Sequence, residues 1–300
     1  MQPACTRQRF GPVFFLPALL LPVALGAAAP SPLTDSRVQA WSPSFATTLA
    51  WHDNATNAER SVDVIPAAQL LADLSFSHRL LLSRHDSLLV IGRVGAESWP
   101  RFDGLDRAGP GIRGILQHKF ALGAFAPTLR LETTGDLVFA RESARGGRAG
   151  SIALNYRQRL LPSLVAGLGH ERARYDARAL AFDRTGAETT ALVAWQSDTA
   201  WHFDLALRDR RGTVLSYSSP PRPDLVASGK RLVFVDTFAR VGPLIAYYFP
   251  ARTRSAEIRA SRAFGRDYSV AFAASWRKTT HGINSSYLNR VFSTALVRQL

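Results

Sequence analysis

The 300-residue sequence predicts an all-β protein: a closed antiparallel β-barrel that crosses a membrane on about 14 strands, within a range of roughly 12 to 16. Three observations carry this expectation. Apolar and polar residues alternate with a period of two along segments of about ten residues, the length a tilted strand needs to cross a bilayer, whereas soluble strands average about five or six. The polar rows hold single charged residues along the length of many segments, as a water-filled interior allows. Short turns alternate with mostly longer polar connections, the asymmetry of a barrel whose two ends face different compartments. A soluble sandwich shares the period of two but not these three features together.

The chain begins with Arg7 and Arg9, then an apolar run from Val13 to Leu25 broken by Pro17 and Pro22, then small residues from Gly26 to Ala29. This is the charged, apolar and small-residue order of a secretory signal peptide, expected over 1–28. The run is too short to be a spanning helix. The only cysteine, Cys5, falls in the charged region of that peptide, so a mature chain has no disulfide and no thiolate metal site, and no cofactor is expected. Residues 29–43 read as a short lead-in and 44–300 as the barrel.

Phe45, Thr47, Leu49 and Trp51 open the pattern. Leu70, Ala72, Leu74 and Phe76 alternate with Gln69, Asp73, Ser75 and Ser77, although Leu71 interrupts the polar row and the helix formers there leave a helix open. Leu88 to Ala96, Ile112 to Phe120, Leu129 to Phe139, Ile152 to Arg159, Leu164 to Leu168, Ala191 to Trp195 and Trp201 to Arg208 continue it. Two strands are then expected at 231–239 and 243–249, with a tight link at 250–253 before Ala256 to Ala260. Tyr268 to Trp276 and a closing strand from Ser286 to Leu300 complete the count. The long connections are expected near 52–66, 98–110, 141–147, 174–186, 209–230 and 279–286.

Lipid fixes the register. An arginine turned to lipid at mid-depth costs about 2–4 kcal/mol, so Arg93, Arg130, Arg157, Arg208, Arg259 and Arg277 are expected to point inward. With Asp73, Glu132, Asp204 and Glu257 they would form a charged lumen lattice. Trp195 and Trp201 flank one short turn, and Trp51, Tyr247, Tyr248, Trp276 and Tyr287 lie near loop ends; these are the expected interfacial girdles. The formal charge is +14, and Lys119, Lys230 and Lys278 are the only lysines. Such a balance points to nucleic acid, anionic lipid or anionic solutes. An export signal removes nucleic acid and leaves lipopolysaccharide phosphates and anions passing a pore.

Several motifs fail on context. Gly109 to Gly114 fits a dinucleotide-binding glycine pattern, but no helix pattern follows it. His170-Glu171 lacks the second histidine of a zinc helix, and Lys230 is followed by Arg231 where a P-loop needs Ser or Thr. The chain is not expected to be an enzyme.

The last strand places Phe292, Thr294, Leu296, Arg298 and Leu300 on one side. It resembles the closing strand of bacterial outer-membrane β-barrel proteins, with Leu300 where that family usually has Phe and Arg298 where an aromatic is common. The resemblance implies a place in the bacterial outer membrane and an assembly signal in Phe292, Leu296 and Leu300. It also implies as partners membrane lipid including lipopolysaccharide, the barrel assembly machinery and periplasmic chaperones. The strand number is similar to porin-like and hydrophobic-substrate transporters. It is loosely similar to the barrel part of the surface lipoprotein assembly modifier family, without that family's helical repeat domain. The implied function is a channel or transport pore with an Arg-rich lumen. The alternatives are a non-conducting structural or adhesin-like surface barrel and, third, a barrel-embedded lipid hydrolase.

Overall fold

The computed structural model describes residues 41–197, 199–220, 222–228, 231–233, 238, 244–281 and 285–300. The expected signal peptide and nearly all of the expected lead-in lie outside the described residues, and the first strand starts at Ser42.

Among the described residues, twelve long strands form the wall. They are β1 (Ser42–His52), β2 (Ala67–Leu81), β3 (Asp86–Ser98), β4 (Arg107–Lys119), β5 (Thr128–Ala140), β6 (Gly147–Leu161), β7 (Leu164–Ala177), β8 (Arg184–Gln196), β9 (Trp201–Ser218), β11 (Ile245–Phe264), β12 (Tyr268–His281) and β13 (Ser285–Gln299). A short strand, β10 (Arg231–Val233), pairs only with the upper end of β11. Neighbours in the chain are neighbours in the sheet. β13 returns to β1, and β9 pairs with β11 from Ser218↔Ile245 down to Trp201↔Arg262, which closes the ring. Closure follows from the solvent: in hydrocarbon every unpaired backbone group costs several kcal/mol, so a sheet there keeps no open edge. The even number puts both ends of the barrel chain, Ser42 and Gln299, beside the short turns.

Twelve strands replace about fourteen for a local reason. The link expected at 250–253 does not exist, because β11 runs unbroken for 20 residues. The loop expected from 209 is strand as far as Ser218. Of the strand expected at 231–239, three residues are strand, and 234–237 and 239 lie outside the described residues. Pro250 and the charges of Asp209, Arg211, Arg252 and Arg254 read as loop chemistry. They belong instead to strand ends that have climbed out of the apolar belt, where alternation is no longer enforced. Pro250 sits one residue beyond the last β12 pairing, where one edge of β11 is free of that neighbour.

Side-chain parity holds round the ring, apart from one register shift between Arg159 and Leu161 at the short-turn end of β6. One outward row runs Leu164, Trp195, Phe203, Ala260, Phe272, Thr294, Leu49 and Leu70. It starts at the short-turn end of β7 and finishes near the long-loop end of β2, which is the strand tilt that barrel closure requires. The outward faces leave Leu49, Ile112, Leu131, Leu154, Leu168, Ile258, Phe272 and Phe292 exposed. A continuous apolar surface of this kind marks contact with lipid. Inward faces carry small residues, among them buried Ala46, Ala153, Ala194, Ala206 and Ala271.

Candidate functional site

The tilted strands bring a charged lattice into the lumen. Arg93, Arg130, Glu132, Arg157, Asp204, Arg208, Glu257, Arg259 and Arg277 all share the inward parity of their strands. Arg93 meets Asp136 at 2.6 Å, Arg113 meets Glu132 at 2.5 Å, and Arg208 lies 3.1 Å from Glu257 and 3.5 Å from Glu188. Asp204 lies 3.8 Å from His202. Asp73 faces inward and is buried, with no cation within 4 Å among the described residues. Arg113, Asp136 and Glu188 were not singled out from sequence. Arg113 and Asp136 lie on the polar rows, but a row of alternate residues does not reveal which cross-strand partners meet.

A second group of arginines is left without carboxylates. Arg130 donates to the Gln117 side chain at 2.8 Å and Arg159 to the Pro162 carbonyl at 2.8 Å. Neither they nor Arg157 and Arg259 have a carboxylate within 4 Å among the described residues. These side chains line a cavity of about 1440 Å³. The cavity begins at the short-turn end, beside Ala124, Pro162, Ala200 and Gly265, and rises to a ceiling that includes Arg93, Thr134, Glu171, Glu188 and Glu257. Among the described residues, none that lines it comes from a long connection. Arg277 faces inward above that ceiling and does not line it.

Gly111 makes room for the Arg93–Asp136 pair. A Cβ there would lie 1.9 Å from Asp136 Oδ1 and 3.1 Å from Arg93 Nε. Gly111→Val is therefore expected to break the Arg93–Asp136 pair and to destabilise the barrel by about 1–3 kcal/mol through overpacking. The measurement is the temperature at which the folded band of a heat-modifiability gel disappears; an unchanged temperature contradicts the expectation.

The long-loop end is roofed. Between Gly186↔Gly212 and its end, β9 has left β8 and continues paired only with β11. Gly212 permits the departure, since a Cβ there would lie 2.2 Å from the Thr185 carbonyl oxygen. The freed edge of β9 meets the 53–66 connection: Tyr217 N–H donates to Thr56 O at 3.0 Å, and Asn57 Nδ2 to Leu215 O at 3.3 Å. Round the ring, the 99–106 connection stands opposite β9. Its Trp99 and Phe102 nevertheless share one buried cluster with Leu215, Tyr217, Phe238 and Tyr248. Phe102 and Tyr217 lie 4.5 and 4.4 Å from the Phe238 ring. Packing between opposite walls spans the mouth.

Asp63 fastens the roof. Its side chain is fully buried and accepts from Ser218 Oγ at 2.6 Å, Ser219 N at 3.1 Å, Ser219 Oγ, and Arg60 Nε at 2.8 Å. Burial alone would raise its pKa; the hydrogen bonds from Ser218, Ser219 and Arg60 outweigh burial and hold it below the ordinary carboxylate value. A second clasp joins Arg222 to Glu59 at 2.7 Å and to Asp224 at 2.6 Å. Hydrogen bonding to Arg222 brings Asp224 down to about 2 and raises Arg222 in turn. Asp63 and Glu59 were visible in sequence only as loop polarity.

The aromatic expectation divides. Trp51, Trp195 and Trp276 are exposed on the outer face and Trp201 is half-exposed there, with Trp195 and Trp201 beside the short turn and Trp51 and Trp276 near the opposite border. Tyr247, Tyr248 and Tyr287 are not girdle residues. Tyr247 packs with Leu225 and Phe249, Tyr248 joins the roof cluster, and Tyr287 points inward beside Thr279. They sit where the strands have risen past lipid, so a nearby loop no longer means a membrane border. Phe292, Leu296 and Leu300 are exposed on the outer face.

An even, closed barrel with an apolar outer belt and a charged lumen has the architecture of a transmembrane β-barrel. No protein-family model matches the sequence, and no curated protein sequence matches it. Among solved structures the chain is similar to an outer membrane channel from Pseudomonas putida F1, with 10% identity, 90% of this chain and 100% of that one covered, and a TM-score of 0.56. The CymD monoaromatic hydrocarbon channel superposes less well, with 9% identity, 86% and 88% covered and a TM-score of 0.47. So does the toluene transporter TodX of Pseudomonas putida, with 7% identity, 86% and 89% covered and a TM-score of 0.43. At these identities the likeness is one of fold.

Proposed function

We propose that the protein is an outer-membrane channel whose lumen favours small anionic solutes and whose exterior mouth is held shut by the roof in this conformation. The observation that carries the reading is the 1440 Å³ cavity lined by Arg130, Arg157, Arg159 and Arg259, none of which has a carboxylate within 4 Å among the described residues. A cavity with low-dielectric walls and one excess sign of charge concentrates ions of the opposite sign. A twelve-stranded wall also encloses more space than an eight-stranded one, whose side chains fill it. Catalysis forms no part of this reading.

The roof favours a second reading, a sealed barrel that serves as a surface structure. Planar-bilayer recording with purified, refolded protein separates the two. The channel reading expects open bursts whose reversal potential in a salt gradient lies toward the anion. Cation-selective bursts overturn the anion preference. No conductance from either the native protein or a roof-weakened variant supports the sealed barrel.

A further inference from the structure

The arginines of the outer surface are as informative as those of the lumen. At the long-loop end of the wall, two outward rows rise just above the apolar belt. In the upper row, Arg172 is followed through Ala187 by Arg211 and then Arg252. In the row beneath, Asp209 pairs with Arg254 and Arg254 with Lys278. The apolar residues Leu207 and Trp276 come two positions below Asp209 and Lys278 on the same faces. The rows therefore sit at the border between hydrocarbon and headgroups.

Two features separate this patch from an ordinary solvated rim. It is confined to one sector: the outward positions of β1 to β5 carry no lysine or arginine at any height. It also sets like charges directly opposite one another, Arg211 against Arg252 and Arg254 against Lys278. Such pairs repel across adjacent strands. Asp209 relieves part of this, meeting Arg252 at 2.6 and 2.9 Å and Arg254 at 3.9 Å. Arg172, Arg211 and Lys278 keep no carboxylate within 4 Å among the described residues and are exposed. Neighbouring same-face residues lie about 7 Å apart along a strand and strands about 4.8 Å apart, so the uncompensated cations span a surface of headgroup size.

We propose that this sector, centred on Arg211, Arg254 and Lys278, binds the phosphate groups of a phosphorylated lipid in the leaflet at the long-loop end. Phosphate oxygens supply the missing acceptors, and arginine's planar fork matches them. The acyl chains of the same molecule would lie against the apolar belt directly beneath. The proposal is independent of the channel reading, because it concerns the outer face alone.

Native mass spectrometry of the full chain in detergent micelles doped with lipid A, a two-phosphate glycolipid, tests it. The native protein should retain lipid A and lose most of that retention when the lipid is dephosphorylated. The double variant R211Q/K278Q should retain it at least tenfold less. Arg262→Gln, on the same outer face but at the short-turn end, should match the native protein. Equal retention of dephosphorylated lipid overturns the proposal, and that arm needs no variant to fold. A loss in R262Q equal to that in R211Q/K278Q, with both folded by heat-modifiability, also overturns it. Complete displacement of lipid A by millimolar inorganic phosphate would mark a soluble-anion site instead. A native dimer that R211Q/K278Q dissociates would make the face a contact between copies and would likewise overturn it.

Discussion

Asp63→Ala is expected to open the barrel at its long-loop end. The carboxylate is fully buried and holds Ser218, Ser219 and Arg60 together across the mouth. Its removal leaves those donors without their acceptor. Hydrogen bonds to a charged group contribute about 1.5–3 kcal/mol each and are not additive, so we take about 3 kcal/mol for the group, with Arg60 discounted for its partial exposure. A shift of that size raises the open population roughly a hundredfold. The roof lies outside the lipid belt, so the wall should survive: the heat-modifiable band and strand content stay unchanged while open probability in bilayer recordings rises. Asp63→Asn keeps an acceptor for the serines but loses the charge partner of Arg60, and should fall between the two. A folded D63A protein with unaltered open probability would show that the roof does not gate conduction.

Acid should act at the same place. Asp63 is held below its ordinary value of 3.8 and Asp224 is held at about 2. A carboxylate whose pKa is depressed in the closed form stabilises that form fully above its free value and loses the contribution as pH falls through the depressed one. Closure should therefore be flat above about pH 4 and weaken from there toward pH 2, the range set by ordinary and depressed carboxylates. Open probability measured between pH 6 and pH 2.5 should rise only at the acid end, and D63A should flatten the rise.

The wall was legible in the sequence and the roof was not, for one physical reason. Lipid outside and water inside impose a period of two, so Phe45 to Trp51, Leu129 to Phe139 and Tyr268 to Trp276 announce their strands and their faces. Above the lipid border the constraint lapses. Asp209, Arg211, Pro250, Arg252 and Arg254 then look like loop residues although β9 and β11 run straight through them, which is how two strands too many were expected. The same lapse places Tyr247, Tyr248 and Tyr287 in cores instead of girdles. Asp63 lies 155 residues from Ser218 in the chain; no local pattern could join them. In the lumen, parity revealed which charges face inward. Which of them pair is decided by register, so neither the Arg93–Asp136 pair nor the lack of a carboxylate within 4 Å of Arg157 and Arg259 among the described residues can be read from alternation.

The lumen arginines set the second large effect. Replacing Arg130, Arg157 and Arg259 together with Glu is expected to reverse the ion preference of the open channel. Each replacement moves two unit charges, and the three surround one cavity. In water a unit charge about 8 Å from a permeating ion contributes about 0.5 kcal/mol, so the combined change is roughly 3 kcal/mol before screening. One Debye length of screening at physiological ionic strength reduces this to about 1 kcal/mol, opposite in sign for an anion and a cation, so the anion-to-cation permeability ratio changes by about 2 kcal/mol, roughly thirtyfold. At about 0.01 M salt the Debye length is about 30 Å and most of the unscreened effect should return. That salt dependence distinguishes a field effect from a change of pore shape, which would alter conductance similarly at every ionic strength. Recordings should be made in the D63A background, where the mouth is open and selectivity reports the lumen alone. Equal anion preference in the parent and the triple variant, with both folded, would remove these arginines from any role in selection and leave the lumen lattice a structural one.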